Sequence, residues 1–251
     1  MRIAYVIWGL GLGGAENLLF ELSSRLTKQD DKFLVINLLG TDYFSEKLRE
    51  NNIEVIDLAL FHRPIFNPLN FGKLLHRSYQ LFRHLKSFNP QLIHTWMYPA
   101  DILGGLMGRI LGRPVIWGIF SGSTSRKLYR PLFWLSMATC AKFARRVPNN
   151  IVSCSAYGRR SHIAFGYPKA RILFIPLGFR SDPPVAPSTY VPQDNGLSKD
   201  SVIRIGMLGR FSPEKQHGLL ISIISQLQRC DVRCHLFLAG GIGITSSNSA
   251  L

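Results

Sequence analysis

Apolar runs alternate with amphipathic stretches along most of this chain, and the two differ in period. The runs at 3–8, 33–38, 53–58, 92–96, 115–120, 151–154 and 172–175 are short and nearly continuous, as strands buried on both faces are. Between them, 15–28, 43–50, 69–88, 101–111, 127–146 and 156–165 space their apolar positions three and four apart, which predicts helices. Strands separated by helices predict a parallel sheet covered on both sides, with ligands beyond the carboxyl ends of its strands. From about Pro176 the pattern breaks: 181–200 carries Pro183, Pro184, Pro187 and Pro192 among Ser, Asp, Asn and Gly, with no apolar period, and predicts a linker. A strand at 202–208, a helix at 214–229 and a strand at 233–239 follow. The expected organisation is α/β throughout, with a Rossmann-like N-terminal domain over 1–180, a linker over 181–200 and the truncated start of a second Rossmann-like domain over 201–251. One βαβ unit cannot cover both faces of its own strands, so the second part is expected to depend on the first or on further sequence.

Two strand-to-helix turns are glycine-rich. Gly9-Leu10-Gly11-Leu12-Gly13-Gly14-Ala15-Glu16 follows the first strand, and Gly209-Arg210-Phe211-Ser212-Pro213-Glu214-Lys215 follows the strand at 202–208. Such turns aim backbone N–H groups and the positive end of a helix dipole at an anion. The first also has the GxGxxG spacing of a dinucleotide site through Gly9, Gly11 and Gly14. That site calls for an acid at the end of the second strand, where this chain has Asn37-Leu38-Leu39-Gly40, with Asp42 a few residues late. Glycines serving only a tight turn are the other reading of the same residues.

Thirty Lys plus Arg against fifteen Asp plus Glu give a formal charge of +15, which favours anionic partners: phosphosugars, nucleic acid or an anionic bilayer. No nucleic-acid reading motif accompanies the charge, so no nucleic-acid partner is expected. Helix 69–88 carries Phe71, Leu74, Leu75, Leu81, Phe82, Leu85 and Phe88 on one side and Lys73, His76, Arg77, Arg83 and His84 on the other. It could be an ordinary covering helix or a basic amphipathic helix resting on anionic headgroups. The most apolar stretch, 131–141, is too short to cross a bilayer, and the N-terminus runs straight into a strand, so a cytoplasmic protein is expected, with peripheral membrane contact as an option. Cys140, Cys154, Cys230 and Cys234 show no CxxC spacing and read as buried free thiols.

Several segments together resemble the motif succession of family 4 (group 1) glycosyltransferases, which have the GT-B fold: Gly13-Gly14-Ala15-Glu16, His94 to Asp101, Pro114 to Ile119, Ile175 to Phe179 and Gly209 to Lys215. The similarity runs over essentially the whole chain. It implies two Rossmann-like domains with the active site in the cleft between them, a nucleotide-diphosphate sugar as donor, and retention at the anomeric carbon. The acceptor would be a saccharide or a lipid-linked molecule in polysaccharide or glycoconjugate assembly; no cofactor and no obligatory metal are implied. Arg210 and Lys215 match the pair that clamps the donor diphosphate, where fixed cations stabilise the departing charge. Gly11, Gly13 and Gly14 match the flexible loop near the donor phosphates and acceptor; Glu16 is expected to compensate the helix dipole.

His94 and Asp101 flank the carboxyl end of the fourth strand, where the acceptor would lie, and are the catalytic candidates; His94 could equally be a satisfied core residue. Ser121 and Ser123 could contact a sugar or cap the following helix, and Ser153 and Ser155 follow the sixth strand in the same manner. The chain departs from the pattern at Leu177-Gly178 and Arg180, where relatives usually read Asn-Gly and Asp, and at Phe120, where many place Arg. The family's second acidic motif, a Glu pair that binds donor sugar and ribose, would lie beyond Leu251, so independent catalysis by this chain is not expected. The competing functional classes are a nicotinamide-dependent oxidoreductase and a non-catalytic basic membrane- or nucleic-acid-binding module.

Overall fold

The computed structural model describes residues 1–26, 31–60, 71–178, 202–209, 211 and 215–240. The chain divides into two compact units, Met1–Gly178 and Phe179–Leu251. The proline-rich segment 181–200 lies outside the described residues.

In the first unit the strands β1 (Arg2–Ile7), β2 (Lys32–Asn37), β3 (Glu54–Asp57), β4 (Leu92–Trp96), β5 (Val115–Ile119), β6 (Asn150–Ser153) and β7 (Ile172–Phe174) form one sheet in the order β3-β2-β1-β4-β5-β6-β7. Every pairing is parallel. Parallel pairing needs a crossover between successive strands, and the helices α1 (Gly14–Leu26), α2 (Tyr43–Glu50), α3 (Phe71–Phe88), α4 (Tyr98–Ile110), α5 (Pro131–Phe143) and α6 (Ala156–Ala164) lie along those connections. Side chains alternate across β1. Ile3, Tyr5 and Ile7 pack with Leu19, Phe44 and Leu48 of α1 and α2, whereas Ala4 and Val6 pack with Leu81, Leu85 and Ala100 of α3 and α4. A third cluster joins Val115, Trp117, Ile119 and Ile151 to Met137, Cys140 and Ala144 of α5.

Helix α4 is closely seated on the sheet. A Cβ added to Gly104 would lie 2.9 Å from Thr95 Cγ2, one on Gly105 2.7 Å from Trp117 Nε1, and one on Gly108 2.5 Å from Val115 Cγ2. Only hydrogen fits at these positions, and the three glycines let the helix backbone lie against the sheet.

Some boundaries differ from the sequence reading for identifiable reasons. The stretch 127–146 is not one helix: a short 3-10 turn spans Arg126–Leu128, and α5 begins at Pro131 with Arg130 held extended at φ −60° and ψ 144°. Proline cannot donate to the preceding turn and pushes the residue before it out of the helical region. Helix α4 starts at Tyr98 rather than Asp101, because Pro99 falls in the first turn, where a missing N–H costs nothing. In α3 the apolar side is already used. Leu81 and Leu85 are buried in the core with Leu74 and Phe88 packed beside them, while Leu75 is exposed on the far side. Among the cysteines, all four of which are free, Cys140 and Cys234 are buried, Cys154 is half-buried and Cys230 is exposed.

The second unit pairs β8 (Ile203–Leu208) with β9 (Cys234–Ala239) in parallel, joined by α7 (His217–Arg229). Neither strand is buried on both faces, and Leu208 and Phe237 are exposed.

Candidate functional site

The strand order reverses at β1 and β4: from β1 the chain steps outward to β2 and β3, then returns to the other side of β1 at β4. The carboxyl ends of these neighbouring strands mark the topological switch point, where open α/β sheets hold ligands. Trp8 N donates to Trp96 O at 3.3 Å there, tying the start of the glycine loop to the end of β4.

Leu10 anchors the glycine loop from below; it is fully buried, and its carbonyl accepts from Phe44 N at 2.9 Å. Gly11 and Gly13 lie close against two carboxylate side chains. A Cβ on Gly11 would stand 2.8 Å from Asp42 Oδ2, and one on Gly13 would stand 2.2 Å from Glu16 Oε2, whereas Gly14 faces open space. Asp42 also caps α2, its Oδ1 accepting from Tyr43 N at 2.8 Å in a capping box with Ser45. Glu16 lies in the first turn of α1 and complements the helix dipole. The loop is thus an open approach edged by acceptors.

No acid is free at the end of β2. Asn37 is fully buried and its Nδ2 donates to Asp57 Oδ1 at 2.8 Å, to Ser45 Oγ and to Gly40 O. Burial raises the Asp57 pKa, but hydrogen bonds from Arg49, Ser45, Asn37 and Thr41 outweigh it and hold the carboxyl below its ordinary range. The sidechains that could face a ribose are occupied in shaping the β2–α2 loop.

His94 and Asp101, neighbours of the same strand end, are on opposite sides of it. His94 belongs to an aromatic face with Tyr5 at 5.7 Å and Trp96 at 5.1 Å between ring centroids, and Trp96 stacks on Phe120 at 4.4 Å. The residue is half-buried overall, but its Nε2 is buried and has no hydrogen-bond partner among the described residues, as is true of Trp96 Nε1. Burial pushes the imidazole pKa down to about 4, so the ring is neutral at physiological pH. Asp101 is 1% exposed on the α4 side and accepts from Thr95 Oγ1 at 2.5 Å, and its Oδ2 has no partner among the described residues. Burial pushes its pKa up to about 8 against the opposing Thr95 bond, which keeps the carboxyl protonated at neutral pH. Between the two lies Met97, at φ 77° and ψ 146°, a conformation nearly confined to glycine. Sequence alone gave no sign of this strained residue at the strand-to-helix turn.

Ser121 Oγ bonds Ser123 O at 3.0 Å and Tyr129 Oη, and Ser123 Oγ accepts from Ser125 N at 3.1 Å, so both serines shape the β5–α5 connection. Ser155 caps α6 by accepting from Gly158 N at 2.9 Å, and Ser153 Oγ donates to Ser155 O. A further buried group missed in the sequence, Tyr98 Oη with His162 Nε2 at 2.7 Å, is satisfied on the other ring nitrogen by Gly158 O.

In the second unit, Gly209 directly follows β8, and Arg210 lies outside the described residues. Lys215 is exposed, and its alkyl stem lies 3.5 Å from the position of a Cβ on Gly209. Helix α7 starts two residues later with no acid in its first turn. A Cβ on Gly218 would meet nothing within 4 Å. Cation, glycine and helix N-terminus therefore share one strand-to-helix turn. Among the described residues, no three His, Cys, Asp or Glu side chains gather as a metal site, and no helix is long and apolar enough to cross a membrane.

Solved structures share this fold. HepE of Anabaena, determined in complex with UDP and glucose, is 20% identical with a TM-score of 0.70 over 97% of this chain and 62% of its own. A glycosyltransferase of Rickettsia africae is 16% identical with a TM-score of 0.66, over 96% of this chain and 61% of its own. MurG of Acinetobacter baumannii is 15% identical with a TM-score of 0.57, over 96% of this chain and 59% of its own. This chain therefore spans under two thirds of the length of these structures, and at such identities the likeness is one of fold: α/β, GT-B type. No curated protein matches the chain by sequence. Glycosyltransferase Family 4 does match, over residues 12–182, most of the first unit and well over half of the whole, and the chain belongs to that family.

Proposed function

We propose that this chain is the acceptor side and the beginning of the donor side of a retaining glycosyltransferase, which moves a sugar from a nucleotide diphosphate to a saccharide or lipid-linked acceptor in polysaccharide or glycoconjugate assembly. The observation that carries the reading is the β8–α7 turn of a family member: a cation, Lys215, beside a helix N-terminus that has no acid of its own. HepE has been solved with UDP-glucose, which makes UDP the natural probe. In this reading Arg210 and Lys215 neutralise the departing diphosphate in place of a metal. Gly11, Gly13 and Gly14 keep the approach at the β1–β4 switch point open. His94, neutral and with its Nε2 unpartnered among the described residues, is the group proposed to meet the acceptor; Asp101 positions the β4–α4 turn through Thr95. Ser121 and Ser123 offer only what their own loop bonds leave.

A nicotinamide nucleotide is disfavoured by the same geometry, since Asn37 stands where the ribose-binding acid belongs and is fully hydrogen-bonded. The test is calorimetric. Arg210→Ala and Lys215→Ala in the full chain should each weaken UDP by about tenfold with the circular dichroism unchanged. Undiminished affinity in both removes the pair from the role.

A membrane partner is supported by charge segregation. Asp101 is the one acidic residue between Leu58 and Ser181 in the sequence, and it is buried and protonated. Helices α3, α4 and α5 lie side by side, exposing Lys73, Arg83, Lys86, Arg109 and Lys142 with Leu75, Tyr79, Leu106, Ile110 and Leu135 among them. Cations with scattered apolar side chains suit an anionic headgroup layer. Flotation with anionic liposomes is expected, and flotation indifferent to lipid charge would contradict it.

A further inference from the structure

Among the residues given no role so far, the imidazole of His217 stands out. It is the first residue of α7 and only 3% exposed, yet both Nδ1 and Nε2 are buried without a hydrogen-bond partner among the described residues. A neutral imidazole carries one N–H donor and one acceptor nitrogen, and burying either unpaired is unfavourable. An apolar side chain would fill the position without that penalty, as Ile224 does farther along the same helix. The ring is held against Phe211, with centroids 5.1 Å apart and planes at 55°. Phe211 belongs to the β8–α7 turn, so the contact fixes the imidazole at that turn. The same turn carries Lys215 two residues earlier, and α7 opens at His217 with its N-terminal N–H groups and no acid in its first turn.

We propose that His217 is a phosphate ligand of this turn, donating an imidazole N–H to a phosphate oxygen of a nucleoside diphosphate beside Lys215. The proposal rests on the assignment of the donor diphosphate to the same turn. It accounts for an otherwise unfavourable residue: a phosphate oxygen is a partner of the kind the ring nitrogens lack among the described residues. A dianionic phosphate is the fitting class, because the site offers an ammonium, helix N–H groups and an N–H donor, and α7 brings no acid in its first turn. A neutral sugar would leave the ammonium and the dipole uncompensated.

The experiment titrates UDP and inorganic pyrophosphate into the full-length chain and its His217→Leu, His217→Gln and Lys215→Ala variants, with thermal melting alongside. Leucine removes two unpaired polar atoms, so His217→Leu should melt no lower than the parent while binding both ligands about tenfold more weakly. Glutamine retains an N–H donor and should recover part of the loss. In the parent, the His217 ring nitrogens should shift in long-range proton–nitrogen spectra when pyrophosphate is added. His217→Leu binding as tightly as the parent, or silent ring resonances, would overturn the proposal whether or not the variant folds. If Lys215→Ala alone weakens binding, His217 is excluded and the diphosphate assignment stands; if the parent binds neither ligand, both fall.

Discussion

Replacing Asp101 by asparagine should remove a pH dependence of stability that the native protein owes to one buried acid. Burial holds the carboxyl up to about 8, against an ordinary value of 3.8. A folded-state pKa above the unfolded one contributes stability that is complete below about pH 4, declines as pH rises and levels off above about 8. The slope in that window approaches about 1.4 kcal/mol per pH unit, so between pH 6 and 7.5 the first unit should lose about 2 kcal/mol. Asparagine keeps the Oδ1 acceptor for Thr95 and a neutral side chain of the same shape but cannot ionise. Urea unfolding followed by tryptophan fluorescence isolates this unit, because Trp8, Trp96, Trp117 and Trp134 all lie within it. The difference between parent and Asp101→Asn should shrink or reverse by about 2 kcal/mol across the window. Parallel pH profiles for the two proteins would refute the reasoning.

His94 has the opposite sign: with its pKa lowered to about 4 from 6.5, its contribution is lost as pH falls from 6.5 towards 4, and His94→Phe should flatten the acid limb of the same unfolding profile. Gly108→Ala should destabilise by about 2 kcal/mol, because the added methyl meets Val115 Cγ2 and the overpacking exceeds the gain in helix propensity; a more stable variant by urea unfolding would show that α4 is less closely seated. Met97→Gly should be more stable than Met97→Ala by about 1 kcal/mol, since only the alanine keeps the strained backbone. Equal stability would mean the turn relaxes.

Strands β1, β2 and β5 are legible because both faces are buried, which leaves a nearly continuous apolar run that no helix period imitates. Pro131 and Pro99 moved the ends of α5 and α4 by local chemistry that apolar spacing does not register. The two catalytic candidates illustrate a deeper limit. His94 and Asp101 are seven positions apart across a strand-to-helix turn, and only the pleat of β4 and the docking of α4 decide that they face opposite sides. In the sequence, Leu74, Leu81 and Leu85 of α3 fit an ordinary covering helix or a lipid-facing one, and the sheet claims them. The close approach of Asp42 and Glu16 to Gly11 and Gly13 is not visible in the sequence, Asp42 being distant along it, and His217 attracts attention only once its burial and its unpartnered ring nitrogens are seen.

The central claim is that the β8–α7 turn recognises a nucleotide through its diphosphate. Calorimetric titration of the full chain with UDP, uridine and NAD tests it most directly. The account predicts saturable UDP binding, with uridine far weaker and NAD undetectable; uridine binding as well as UDP, or NAD binding in its place, would contradict it.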